Sequence, residues 1–459
     1  MRNWLDKMKK CTASGKNSQK FFFIEALGCP KNLVEAEVIS GSLLSGNYGI
    51  SFDPAEADIY IVVTCGFLPS ARSEAADSIA AAVEWKAAGK NRIVAVAGCL
   101  MNHEDIGKFR DCFPEVDLWV PVNDTARILE LLAGAEMVGD ENGITFLADE
   151  TLPRMQFTLS HVAYLKISDG CNNRCSYCAI PNLRGALRSR KLPGIVAEAT
   201  QLIGNGVKEL VVIAQDLTAY GQDVPKRNEN AAKLLRALDG IDGDFVIRLL
   251  YTHPAHYTDE FIDVVANGKH ILPYLDMPLQ HINDRILKAM NRHIDRAGIE
   301  KLLAKLRERI PDLTLRTTFI TGLPGETDAE FAELCEFVKK WKFERFGVFS
   351  YAPEPGTPAA SMPDQVPEKI ADARAKKLLK SQKERMKREQ KKLIGSQLQA
   401  IFDYVDDESG YGVARTFADA PDIDNVLYFE VDDTVQPGDF ITVEITGIAS
   451  TDLIGKLLY

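Results

Sequence analysis

Nine cysteines stand in this chain, and six of them fall into two groups of three. The first group lies in one short run, Gly170-Cys171-Asn172-Asn173-Arg174-Cys175-Ser176-Tyr177-Cys178, spaced C-x3-C-x2-C. A four-iron cluster takes four thiolates, so a run of only three leaves one iron open to bind another molecule. A structural zinc knot is the alternative reading. Zinc usually takes a fourth Cys or His at short spacing, and no His follows within the loop. The second group, Cys29, Cys65 and Cys99, is scattered in sequence but repetitive in setting: Leu27-Gly28-Cys29, Thr64-Cys65-Gly66 and Gly98-Cys99. Each follows an apolar, strand-like run. Loops at the carboxyl ends of neighbouring parallel strands converge on one crevice, so three such thiols can share a metal site. Three small buried thiols are the alternative. Cys11, Cys112 and Cys335 have no such setting and read as ordinary cysteines.

The elements that must position these residues follow from periodicity. Val-, Ile- and Phe-rich runs alternate with helical stretches, the βαβ pattern of parallel sheets covered by helices. Strands are expected at Phe21–Leu27, Ile59–Val63 and Ile93–Ala97, with helices at Val34–Leu44 and Ser73–Ala87, giving a doubly wound α/β domain over 20–145. A second series over 155–390 has six strands: Tyr164–Ile167, Leu210–Ala214, Phe245–Leu250, Leu272–Asp276, Leu315–Ile320 and Phe346–Tyr351. Six βα units make an incomplete barrel. Its first strand leads straight into the C-x3-C-x2-C run. Pro353-Glu354-Pro355-Gly356 ends the series, and a basic helix from about Glu368 to Leu393 reads as a solvated connector. Over 395–459, alternating runs at Ala400–Val405, Val426–Phe429 and Phe440–Ile445, with turns at Ser409-Gly410 and Pro437-Gly438, read as a small β-barrel. No internal repeat is visible.

Charge is segregated. From Gly395 to Tyr459 thirteen acidic residues face only Arg415 and Lys456, so this segment carries the chain's whole net charge of −11 and the rest is neutral overall. Nucleic acid is a dense polyanion bound through Lys and Arg, so an anionic module disfavours RNA and favours a basic protein. The clustered Lys and Arg of Lys376–Lys392 point the other way, although such runs are usually solvated faces. The residues before Phe21 are polar and mixed in charge, and no stretch is long and apolar enough to span a bilayer. A cytoplasmic protein without membrane contact, in a reducing compartment, is the expectation.

The C-x3-C-x2-C run, with an aromatic residue before its last cysteine, is similar to the defining motif of the radical S-adenosylmethionine superfamily. That resemblance implies a partial (β/α)6 barrel with the cluster loop after the first strand. It also implies a cofactor that binds the open iron through its methionine amino and carboxylate groups and yields a 5′-deoxyadenosyl radical. By the same resemblance Tyr177 contacts the adenine, Gln215 and Asp216 lie near the cofactor's methionine, and Gly322 and Pro324 let backbone approach the nucleoside. With the second cysteine group and a TRAM- or OB-like tail, the chain from Phe21 onward resembles the methylthiotransferase family. Two 4Fe-4S clusters are then implied, one held by Cys171, Cys175 and Cys178, the other by Cys29, Cys65 and Cys99. S-adenosylmethionine supplies both radical and methyl group, and a cytosolic electron donor such as flavodoxin or ferredoxin is required.

Relatives modify either a transfer-RNA adenosine or the β-carbon of an aspartate in a small-subunit ribosomal protein, giving 3-methylthioaspartate. Gly28-Cys29-Pro30-Lys31-Asn32-Leu33-Val34 resembles the ribosomal-protein branch, as do Arg184–Arg190 and Tyr274–His281. Arg184, Arg188 and Arg190 are candidates to hold a carboxylate, of cofactor or substrate, or to be surface ion-pair partners. His281 follows the fourth strand and has no assigned acid–base role. The acidic tail is expected to attract the basic substrate protein, and nucleic-acid binding by it is doubtful. The transfer-RNA activity is the alternative, and a non-enzymatic iron–sulfur protein a more distant one, disfavoured because a carrier gains nothing from an open iron.

Overall fold

Ile59–Thr64 (β2), in which every residue is buried, forms the centre of the N-terminal sheet, as expected of a parallel strand covered on both faces. Phe21–Ala26 (β1) and Ile93–Gly98 (β3) flank it in parallel register. Two-residue strands at Gly49–Ile50 and Leu118–Trp119 close the edges. Helix α1 (Pro30–Ser45) covers one face and α2 (Pro69–Ala87) the other. The structure is a computed structural model and describes residues 19–140 and 142–458, so Cys11 lies outside it.

Six parallel strands then pair in chain order, β4 (Val162–Lys166), β5 (Glu209–Ile213), β6 (Val246–Leu249), β7 (Ile271–Asp276), β8 (Thr314–Thr321) and β9 (Arg345–Ser350). Helices pack on their outer side and form the largest apolar core with them. This is the open six-stranded barrel the periodicity requires. Helix α3 (Glu368–Lys391) departs from the expected solvated connector. Its lysines are mostly exposed, but Ala375 and Leu378 join the main core. Arg374 is buried and ion-paired to Glu326 and Asp328. The open barrel leaves β9 an unpaired edge strand, and α3 packs alongside it.

The tail closes into a five-stranded antiparallel and parallel barrel of Gln397–Val405, Tyr411–Thr416, Leu427–Glu430, Phe440–Ala449 and Asp452–Leu458. The second and fifth of these strands were not legible as apolar runs. The tail's acidity is also partly used within the chain. Asp403, Asp419 and Asp424 face the central barrel, pairing with His161 at 2.9 Å, Arg345 at 2.5 Å and Arg316 at 3.4 Å. Ala420 is buried among Tyr164, Val211, Ile213 and Tyr274, plugging the barrel interior. Among the described residues no helix is long and apolar enough to cross a membrane.

Candidate active site

All six motif cysteines, Cys29, Cys65, Cys99, Cys171, Cys175 and Cys178, line a single cavity of about 320 Å³ between the N-terminal sheet and the carboxyl ends of the barrel strands. The scattered group meets because β1, β2 and β3 are neighbours and each delivers its cysteine at its carboxyl end. Cys29 sits at the N-cap of α1 with Pro30 at the first helical position, which puts it at the positive end of the helix. Asn32 ties the loops together, donating to the carbonyls of Leu27 at 3.0 Å and Thr64 at 2.9 Å. Gly28 is required by close approach: a Cβ there would stand 2.6 Å from the Cβ of Cys65.

Thiolates bound to one tetrahedral zinc at about 2.3 Å lie about 3.8 Å apart. Among the described residues, neither cysteine triplet brings its three sulfurs within 4.8 Å of one another. That is wider than one zinc ion allows, whereas a four-iron cluster puts each thiolate on a different corner and so sets its ligands farther apart. N–H donors aimed at the sulfurs fit it as well. Arg184 donates Nε–H to Cys99 Sγ at 3.0 Å, and Arg292 donates to Cys175 Sγ at 3.6 Å. Burial pushes the free thiols up, Cys99 and Cys178 to about 12 and Cys171 to about 11, so metal uptake must expel protons.

Arg184 is the structural bridge between the two halves. It is 1 % exposed, rises from the barrel just after Cys178, and crosses to the N-terminal domain. There it pairs with Glu35 and donates to Asn32 Oδ1 at 2.6 Å. The carboxylate it holds here is the protein's own, in a buried ion pair and not a surface one. Arg188 is half-buried and bonds the carbonyls of Arg184 and Ala186. Arg190 is buried and paired with Glu198 at 2.6 Å. His281 is fully buried, 3.4 Å from Glu326, and does not line the cavity.

Tyr177 and Gln215 line the cavity. Asp216 stands behind it. One oxygen accepts from Thr218 at 2.6 Å, the other from Asn173 at 2.7 Å and His256 at 2.8 Å, so Asp216 braces the cysteine loop through Asn173. Gly322 and Pro324 are not part of the cavity lining. A Cβ at Gly322 would meet the Cβ of Ala371 at 2.3 Å, so the missing side chain lets α3 pack close. Reasoning from sequence missed Arg292, His253 and Tyr251, which line the cavity from distant loops with no motif to mark them. It also quoted Lys31 only as a branch marker. Burial lowers this lysine to about 8.

Residues 165–338 match the Radical SAM superfamily, 21–121 the uncharacterized protein family UPF0004, and 394–458 the TRAM domain. The chain is 42 % identical over 450 residues to the ribosomal protein uS12 methylthiotransferase RimO of Geobacter sulfurreducens, covering 96 % of this chain and 99 % of that one. The chain belongs to the RimO-type radical S-adenosylmethionine methylthiotransferases. A second member, from Bdellovibrio bacteriovorus, is 40 % identical and matches 98 % of this methylthiotransferase and 99 % of its own length. The fold is also that of the radical S-adenosylmethionine methyltransferase TsrM of Kitasatospora setae, with a TM-score of 0.55 over 74 % of this chain and 75 % of that one at 14 % identity. As a member of this family the methylthiotransferase uses S-adenosylmethionine and two 4Fe-4S clusters.

Proposed function

We propose that this enzyme adds a methylthio group to the β-carbon of an aspartate in ribosomal protein uS12. Cys171, Cys175 and Cys178 would hold the cluster that binds S-adenosylmethionine, and Cys29, Cys65 and Cys99 the cluster that presents sulfur. The observation that carries this reading is the single cavity lined by all six cysteines. A short-lived carbon radical must meet its sulfur source without crossing solvent, and a shared chamber provides that. When bound, the cofactor and clusters supply one-electron chemistry and the methyl group.

The protein's own residues hold and orient. Asn173, braced by Asp216, fixes the cysteine loop, and Gln215, donating to Asp169 at 2.5 Å, lines the wall beside it. His253 accepts the backbone N–H of Ala255 at Nδ1, and burial keeps the ring neutral, so its proton sits on Nε2. Arg292 and Arg184 each donate to a sulfur of a different triplet, which would draw charge from the cluster that triplet holds and tune its potential. The acidic residues of the tail that remain on its surface favour a basic ribosomal protein over RNA. A cytoplasmic setting and a flavodoxin- or ferredoxin-like donor complete the reading.

The test is incubation of the anaerobically reconstituted, reduced enzyme with S-adenosylmethionine and either uS12 or transfer RNA, followed by mass spectrometry. A methylthio addition on the protein is the expected result. The same addition on transfer RNA alone would overturn the choice of substrate.

A further inference from the structure

Lys31 is 8 % exposed and lines the six-cysteine cavity, yet among the described residues its ammonium forms no ion pair and no hydrogen bond. Its close neighbour is the ring of Tyr251, whose centroid lies 3.0 Å from Nζ. A cation over a ring is attracted but not neutralised. The carboxylates nearest in charge are already taken. Asp276 accepts from Arg316 at 2.9 Å and from the backbone N–H of Tyr251 at 3.0 Å. Asp169 accepts from Lys166 at 3.0 Å and from Gln215 at 2.5 Å. The thiols of Cys29 and Cys99 also face it, but an ammonium with no hydrogen bond or ion pair of its own still lacks the close partner that a ligand's anion would supply.

The wall opposite the ammonium is itself strained. Tyr251 has φ +63, the left-handed region that bulky residues avoid. The Asp276 carboxylate on its N–H and the Leu217 N–H on its carbonyl, at 2.9 Å, hold it there. Strain of this kind gathers where a chain must present a side chain to a ligand. It presents the Tyr251 ring to Lys31, in the first turn of α1 and two residues beyond Cys29.

We propose that Lys31 binds the side-chain carboxylate of the target aspartate and so holds its β-carbon between the two cysteine triplets. The inference rests on the aspartate reading above. In that substrate the reacting carbon is bonded directly to the carboxylate carbon, so a grip on one places the other. A transfer-RNA adenosine offers no anion at the reacting carbon, which makes Lys31 a specificity-determining residue. The competing roles are a counter-ion to the Cys29 cluster and a partner for the cofactor's own carboxylate.

A double-substitution cycle on the iron-loaded enzyme separates these roles. Binding of uS12, and of uS12 with its target aspartate changed to asparagine, is measured against wild type and Lys31→Met, together with binding of S-adenosylmethionine. The asparagine change is expected to weaken binding to wild type by about tenfold or more and to cost nothing further in Lys31→Met. Affinity for S-adenosylmethionine stays at the wild-type value. Lys31→Gln repeats the cycle if the methionine variant loads iron poorly, and the wild-type half needs no enzyme variant. Equal cost of the asparagine change in both proteins, equal binding of the two uS12 forms to wild type, or a loss confined to S-adenosylmethionine would each overturn the inference. Methylthiolation of transfer RNA instead of uS12 would remove the aspartate reading and this inference together. Methylthiolation of uS12 with an asparagine cost that ignores Lys31 would remove this inference alone.

Discussion

The two cysteine triplets meet in one cavity but are built in opposite ways. Cys171, Cys175 and Cys178 occupy one loop, so a single local turn and its brace from Asp216 through Asn173 set their geometry. Cys29, Cys65 and Cys99 come from three strand ends, so their geometry exists only once β1, β2 and β3 have paired. A local site tolerates strain elsewhere in the domain. A site assembled from distant strands is only as firm as the packing behind it, and its buried anchor, Arg184, belongs to the other domain.

The sharpest break in this comparison is removal of one ligand from each triplet. Cys171→Ala is expected to abolish reductive cleavage of S-adenosylmethionine and to remove about half the iron. Cys99→Ala should remove about half the iron and leave cleavage intact. Iron and sulfide content, read beside 5′-deoxyadenosine formation, checks both, and loss of cleavage in Cys99→Ala would merge the two sites into one.

Arg184→Met comes next. It strands Glu35, which is 2 % exposed, without its partner, and is expected to cost about 3–5 kcal/mol in denaturant unfolding. Iron should leave the scattered triplet faster while the local one keeps its own. Loss of iron from both at equal rates would contradict the assignment of Arg184 to the first site. Gly28→Ala follows, at about 1–3 kcal/mol, because φ there is +85 and the added Cβ strikes Cys65. Absorbance of the N-terminal cluster, isolated in a Cys171→Ala background, reports it.

The smallest effect sits away from both triplets and gives their baseline. Hydrogen bonding from Arg285, aided by Thr327, lowers the Glu330 carboxyl from its usual 4.5 to about 2. Its contribution is complete above pH 4.5 and is lost as pH falls through about 2. Screening by solvent leaves about 1 kcal/mol of it. Thermal melts of Glu330→Gln between neutral pH and pH 3 should show a shallower acid limb than wild type, and parallel curves would contradict the assignment.

Sequence order and residue type were enough for the strands that line the cavity. Hydrophobic runs such as Ile59–Thr64 announce buried parallel strands, and a cysteine beside glycine at each strand end is visible before any fold is known. The three-ligand logic of both triplets also follows from counting thiolates. Tertiary structure alone decided the rest. Lysine and arginine look alike in a charge count whether solvated or buried. Only packing showed that Arg184 is sealed against Cys99, that Lys31 faces the cavity, and that Asp419 and Asp424 are spent on the barrel. Gly322 taught the same lesson, since its missing Cβ makes room for Ala371, which lies far along the chain. Periodicity reports which face of an element is apolar, whereas the partner a charge or a glycine meets depends on contacts between segments that sequence order does not encode.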